Sequence, residues 1–340
     1  MQKTINKLKE LEKQLNGLII GRENVSKALV LALASNSHML ILGKHGEAKS
    51  YIVDKLCKIT KLNYYYKQFH NETQLKDVVG VLNPIEFQKG KLDLLKTKFW
   101  DSNILFIDEF LRGRSECLDF LMEVLVERKC SKTILGEVNL PIVYCICTSN
   151  PLTDEYNTER MDLALKDRFS FIIYLKHLIE DKPELLKEVI KTNNGHLTDI
   201  KFDYDELIEL RKEAVEKVNV DADFISELFQ KLRDYGFLFS SRFIKNYAQI
   251  VKVSAFVNGK TEADEQEYLD IALLMLRQRY DALDEKKIED TLDETLILAT
   301  YKDVITATTD IMNEHSKGNT DAFIEKAVEL IEKTNEDYPE

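Results

Sequence analysis

An apolar run, a glycine-bearing loop and an amphipathic stretch follow one another without a gap in HMLILGKHGEAKSYIVDKLCKIT, residues 38–60. Read as strand, loop and helix, this order sets the loop at the amino end of a helix. Backbone N–H groups and the helix dipole favour an anion there. Gly43 and Gly46 let the backbone curl so that its N–H groups face phosphate oxygens, Lys49 reaches the β- and γ-phosphates of a nucleotide, and Ser50 holds magnesium. The candidate cradle is therefore Gly43, Lys44, His45, Gly46, Glu47, Ala48, Lys49 and Ser50. Two residues depart from the usual pattern. Ala48 stands where a glycine normally precedes the lysine, and Glu47 brings a carboxylate near the phosphates. The plainer reading of the same segment is a tight turn with a lysine at a helix start.

Further apolar runs alternate with helical stretches. NILFIDEF at 103–110 is followed by a helical segment at 115–128, then LPIVYCICTSN at 140–150, a short helical stretch near 160–167, and the strand FSFIIYL at 169–175. Alternation of this kind implies a mostly parallel sheet covered on both faces. Upstream, Ile5, Leu8, Leu11 and Leu15 share one face of a helix over 4–15, Gly17 to Gly21 is a break, and VSKALVLALAS is a second helix. Past about residue 180 strand-like runs give way to charged helical stretches: PELLKEVIKT, FISELFQKLRDYG and QEYLDIALLMLRQRYDAL. The expected division is an α/β nucleotide-binding core over 1–180, an α-helical lid over 181–282 and a helical extension over 283–340 ending in a frayed NEDYPE.

Four more segments complete a chemical constellation. In ILFIDEF, apolar residues carry Asp108 and Glu109 out of the carboxyl end of a strand, where ligands bind in such sheets. Asp108 would bind magnesium through water, and Glu109 would polarise the attacking water. Asn150 ends the next apolar run, near the γ-phosphate. Arg168 in LALKDRFSF, with Arg160 as a weaker candidate, cannot easily reach its own nucleotide but could reach a neighbour's as an arginine finger. Arg242 in FSSRFIKN follows Ser240 and Ser241 at a helix amino terminus and could fold back onto the γ-phosphate. Each has an ordinary structural alternative: a solvated acidic pair, a turn-forming Asn-Pro, a surface salt bridge, a helix-start arginine.

Composition narrows the setting. The 340 residues carry a formal net charge of -12, which opposes nonspecific adhesion to nucleic acid or an anionic membrane. The amino terminus is too polar for a signal peptide or a membrane span. Five cysteines include no CxxC pair, and Cys145 and Cys147 lie on one face of a strand, so buried reduced thiols and a cytoplasmic setting are expected.

Taken in order, the five segments resemble AAA+ ATPases, and in detail the MoxR family, especially its RavA-like branch, which tolerates a loop ending in AKS. IIGRENVSKALVLALAS, FHNETQLKDVVGVLNPIEFQKGKL and NGKTEADEQEYLDIALL share in the resemblance, which covers roughly residues 4–280. It implies a P-loop parallel sheet with an all-α lid, ATP and Mg2+ as ligands, and Gly21 and Arg22 near the adenine. It also implies that Pro84 to Leu92 is an inserted hairpin facing a pore. The implied assembly is a homo-oligomeric ring, a hexamer, which remodels a protein client together with a partner bearing a von Willebrand factor A domain. This chain has no DxSxS motif, so that partner would be a separate protein. A nucleotide-gated scaffold with little turnover and a DNA-remodelling ring are the competing readings.

Overall fold

A computed structural model describes residues 1–131, 133–150, 163–175, 183–185, 197–276, 290–291 and 312. Its elements are α1 (Gln2–Asn16), α2 (Glu23–Ser35), β1 (Met39–Gly43), α3 (Lys49–Thr60), β2 (Tyr64–Gln68), α4 (Leu75–Val79), β3 (Gly80–Leu82), α5 (Pro84–Gln88) and β4 (Leu94–Lys96). There follow β5 (Ile104–Asp108), α6 (Ser115–Glu127), β6 (Lys129–Cys130), β7 (Val138–Asn139), β8 (Tyr144–Ser149), α7 (Leu163–Arg168) and β9 (Phe171–Leu175). The helices α8 (Tyr204–Lys217), α9 (Ala222–Asp234), α10 (Ser241–Val257) and α11 (Glu265–Leu276) complete the described chain. Met1–Val220 together with Phe239–Glu285 forms one compact unit, and Asp221–Leu238, which holds α9, belongs to a second.

Five strands pair in the order β2-β5-β8-β1-β9, all parallel. Every residue of β1, β5 and β8 is buried, as strands covered on both faces must be. On one face Leu40, Leu42, Leu105, Ile107, Cys145 and Cys147 join Leu118, Leu121 and Val124 of α6 in a single apolar cluster. The Cys145 and Cys147 sulfurs are 3.6 Å apart on that face, and all five cysteines are buried and free of disulfides. Helix α1 buries the stripe Ile5, Leu8, Leu11 and Leu15. Among the described residues past 180 no strand occurs, only an isolated bridge between Asn219 and Glu262. Ser240 caps α10, its hydroxyl accepting from the Phe243 N–H at 3.1 Å.

Three features go beyond the expected elements. Strand β2 is a fifth strand at the edge of the sheet, pairing with β5. The inserted segment, expected as a hairpin over Pro84 to Leu92, is an antiparallel ribbon of β3 and β4 with the short helix α5 between them in place of the hairpin strands. Gly80 has φ +110°, and a Cβ there would lie 2.1 Å from the Leu95 carbonyl oxygen, so only glycine lets the ribbon close. A second ribbon joins β6 to β7. Arg160, most of PELLKEVIKT, residues 277–283 and the carboxyl-terminal NEDYPE lie outside the described residues.

The sheet is tied to α6 by a buried imidazole. The Cys145 N–H donates to His38 Nδ1 at 3.0 Å, and His38 Nε2 lies 2.7 Å from the Leu125 carbonyl oxygen, to which it donates. Burial and the nearby Arg128 charge push this imidazole down to about 3, against the Leu125 carbonyl. Its folded pKa lies below the unfolded value of ~6.5, so its contribution is present above that pH and is lost as pH falls toward 3. Between pH 8 and pH 5 the wild type should lose about 2 kcal/mol more stability than His38→Gln, which does not titrate. Urea titrations of both proteins across that range measure this, and parallel pH profiles would contradict it.

Candidate nucleotide site

The carboxyl ends of β1, β5 and β8 lie side by side, because Leu42 pairs with Ser149 and Ile107 with Cys147. Each strand delivers a functional residue at that end: the 43–50 loop after β1, Asp108 and Glu109 at the end of β5, and Asn150 after β8.

Gly46 has φ +86° with open space around it. A Cβ on Gly43 would lie 3.0 Å from the Leu175 Cβ and 3.4 Å from the Lys49 Cδ, so glycine is what lets β9 and the lysine approach. Ala48 adopts the left-handed conformation a glycine would take, φ 58° and ψ 18°. An L-residue tolerates this at a cost of about 1–2 kcal/mol. Lys44, His45 and Gly46 are exposed at the rim, while Glu47 and Lys49 are buried.

Lys49 is the centre of the site. Its ammonium donates to the carbonyl oxygens of Gly43 and Lys44 and to Asn150 Oδ1, the last at 3.2 Å. Burial lowers its pKa, opposed by the negative charges of Glu109, Asp108 and Glu47. Asn150, fully buried, turns its Nδ2 toward both carboxylate oxygens of Glu109, at 3.2 and 3.4 Å. The same nitrogen is 3.1 Å from His45 Nε2. Glu109 itself has φ 52°, an uncommon conformation for a side chain of its size and one that clusters at functional sites.

Beside this group Ser50 Oγ donates to Asp108 Oδ1 at 3.0 Å. Thr148 Oγ1 donates to the same oxygen, as does the Glu109 N–H at 3.0 Å. A hydroxyl next to a carboxylate supplies hard oxygen ligands suited to Mg2+, which usually takes one or two protein carboxylates and completes its shell with phosphate and water. No group of three or more His, Cys, Asp or Glu able to hold a metal occurs among the described residues.

Some contributors were not foreseen from the sequence. Thr148 fixes Asp108, and its signal was its place near the end of β8, two residues before Asn150. Tyr66 of β2 packs on Phe106 with ring centroids 5.0 Å apart, and partial burial together with the nearby Asp108 charge raises its pKa. Arg112 lies 3.3 Å from Glu109 Oε2, three residues on in the same turn. Arg22, expected near the adenine, meets the loop at Glu47, with an ion pair to the carboxylate and a 3.4 Å bond to the carbonyl oxygen.

The remaining two arginines lie elsewhere. In the pairing of β1 with β9, Met39 faces Phe171 and Gly43 faces Leu175. Arg168, just before β9, therefore sits at the opposite end of the sheet from the loop, about 15 Å away at ~3.3 Å per residue. Asp167 Oδ2 is 3.7 Å from Arg168 and 3.9 Å from Arg242, and Ser240 donates to Asp167 Oδ1. The Arg168 Nε is buried without a hydrogen-bond partner among the described residues.

A parallel sheet with a phosphate-type loop after its β1 strand, an acidic pair on β5 and an asparagine after β8 defines a P-loop NTPase of the AAA+ class. Residues 6–212 match the family described as the MoxR domain in the MoxR-vWA-beta-propeller ternary systems, and the chain belongs to that family. It is similar to an uncharacterised protein of Methanocaldococcus jannaschii, 26% identical over 268 residues, spanning 78% of this chain and 69% of that one. It is also similar to the chaperone MoxR1 of Mycobacterium tuberculosis, 24% identical over 52% of this chain and 45% of the relative. A crystal structure of a presumed ATPase from Cytophaga hutchinsonii has the same fold, with a TM-score of 0.66, 24% identity and coverage of 86% of this chain and 94% of that one. No described helix is long and apolar enough to cross a membrane.

Proposed function

We propose that this chain hydrolyses ATP as a subunit of a homo-oligomeric ring, a hexamer, that remodels a protein client in the cytoplasm. The observation that carries the reading is the continuous linkage Lys49–Asn150–Glu109 beside Ser50–Asp108, in which each polar group has a distinct task. Bound ATP with Mg2+ supplies the phosphoryl group and part of its charge neutralisation. Lys49 would exchange its carbonyl acceptors for phosphate oxygens, and Ser50 and Asp108 would hold the metal. Glu109 would orient the attacking water, and Asn150 keeps the Glu109 carboxylate aimed while contacting Lys49.

Arg168 is assigned to a neighbouring subunit's nucleotide, since its own loop is at the other end of the sheet. Arg242, 3.9 Å from the same Asp167, would act on that side with it. Gly21 and Arg22 are assigned to the adenine end of the loop, and movement of the helical lid (181–282) against the core (1–180) would transmit the nucleotide state. The AKS ending of the loop favours the RavA-like branch.

Two features support a protein client. The β3–β4 insert exposes Val81, Leu82, Ile85, Phe87, Leu92 and Leu95, an apolar surface in an otherwise acidic chain. The family description couples the MoxR domain to vWA and β-propeller proteins, which supports a separate vWA-bearing partner. Steady-state phosphate release combined with mass determination, with and without ATP, tests the reading. Glu109→Gln should bind ATP as the wild type does but turn over at least a hundredfold more slowly, because the amide keeps the shape and loses the base. Turnover at the wild-type rate would remove Glu109 from the mechanism.

A further inference from the structure

A carboxylate inside a loop that cradles phosphate should weaken binding, yet Glu47 is there and is 7% exposed. It does not act alone. Arg22, from the break between α1 and α2, places one guanidinium nitrogen on the Glu47 carboxylate and another 3.4 Å from the Glu47 carbonyl oxygen. Both side chains are largely withdrawn from solvent, at 12% and 6% exposure, so the pair is little screened. A guanidinium can straddle two oxygens in this way because its donors form a rigid planar fork.

The backbone contact matters as much as the charge. In a planar trans peptide the carbonyl of Glu47 and the N–H of Ala48 point in opposite directions. Anchoring the one oxygen therefore fixes the direction of the next N–H, at the residue held in the strained left-handed conformation. The Glu47 charge also reaches Lys49, one of the three carboxylates that favour its protonated form. Without Arg22 that charge would act on bound phosphates instead.

Resting on the nucleotide-binding reading above, we infer that Arg22 and Glu47 are a positioning pair: Arg22 neutralises the carboxylate inside the phosphate loop and presets the 47–48 peptide for phosphate. Arg22 acts through Glu47, and the two residues count as one unit. The departure of Glu47 from the loop pattern is thereby matched by a partner 25 residues upstream.

The test is a double-mutant cycle read by ATP affinity in the presence of Mg2+, with urea unfolding of each protein to establish that it is folded. Arg22→Gln should weaken ATP binding at least tenfold, because it leaves Glu47 unneutralised. It should raise KM while leaving kcat within about threefold, since the hydrolytic groups are untouched. Glu47→Gln should weaken binding less than Arg22→Gln does, because it removes the charge that Arg22 offsets. Adding Glu47→Gln to Arg22→Gln should restore most of the lost affinity. Should Arg22→Gln alone not fold, Arg22→Lys replaces it, keeping the charge but not the fork, with an expected loss of about threefold to tenfold. Losses that simply add, or an Arg22 variant that binds as wild type, overturn the inference while leaving the nucleotide site intact. A wild-type chain that binds no ATP overturns both.

Discussion

Lys49→Ala should reduce ATP affinity by a hundredfold or more. The lysine is the cation buried at the heart of the loop, and its ammonium already bonds two main-chain carbonyls and Asn150. Phosphate oxygens would replace those acceptors with charged ones, and a hydrogen bond to a charged group is worth about 1.5–3 kcal/mol. Two such bonds amount to roughly 3–6 kcal/mol, and each ~1.4 kcal/mol is tenfold in affinity. Removing the side chain also takes away the ammonium whose charge Glu109, Asp108 and Glu47 favour, so the site becomes less favourable to a nucleotide. Calorimetric titration of ATP with Mg2+ against wild type and variant measures the loss. Wild-type affinity in a folded Lys49→Ala protein would refute the phosphate-loop assignment.

The central strands were legible because burial on both faces writes a continuous apolar run. MLILG, ILFID and YCICTS are each buried along their whole length. Strand β2 was not legible for the complementary reason. It is an edge strand in which Tyr66 is exposed and Tyr65 is buried, and YYYKQ offers no unbroken run. The ribbons β3–β4 and β6–β7 have strands of only two or three residues, too short for a period-2 signal.

The site divides in the same way between local and distant information. The loop, the acidic pair and Asn150 are each written in a few adjacent residues, because a strand end and the turn after it fix their direction. The partners that tune them are remote in sequence: Arg22 on Glu47, Thr148 on Asp108, and Asp167 on Arg242. Nothing in a short motif reports such pairings. Ala48 illustrates the limit from the other side. Its identity departs from the motif, yet its backbone adopts the conformation that the glycine would have supplied. The loop's shape is therefore set by its surroundings as well as by its own residues.

Arg168→Ala should bind ATP nearly as wild type does and hydrolyse it about a thousandfold more slowly. Charge builds on the transferring phosphoryl oxygens, and an arginine supplied by a neighbouring subunit contributes ~10³-fold or more to the rate. The strand register puts Arg168 at the end of the sheet away from its own loop, and its Nε is buried without a hydrogen-bond partner among the described residues. On the proposed reading, a guanidinium in that position would serve a nucleotide that another subunit brings to it. Mixing Arg168→Ala with Glu109→Gln should then restore activity neither protein has alone. Some interfaces would pair an intact Glu109 with an intact Arg168, whereas an active site confined to one subunit cannot regain function this way. Subunit exchange is first established with two fluorescent labels, and phosphate release is then followed across mixing ratios. The expected curve rises from near zero at either end to a maximum at intermediate ratios. If labelled subunits exchange and the curve stays flat, Arg168 has no role across the interface. Its ion pair with Asp167, which also meets Arg242 and Ser240, would then define it as a structural residue at the end of α7.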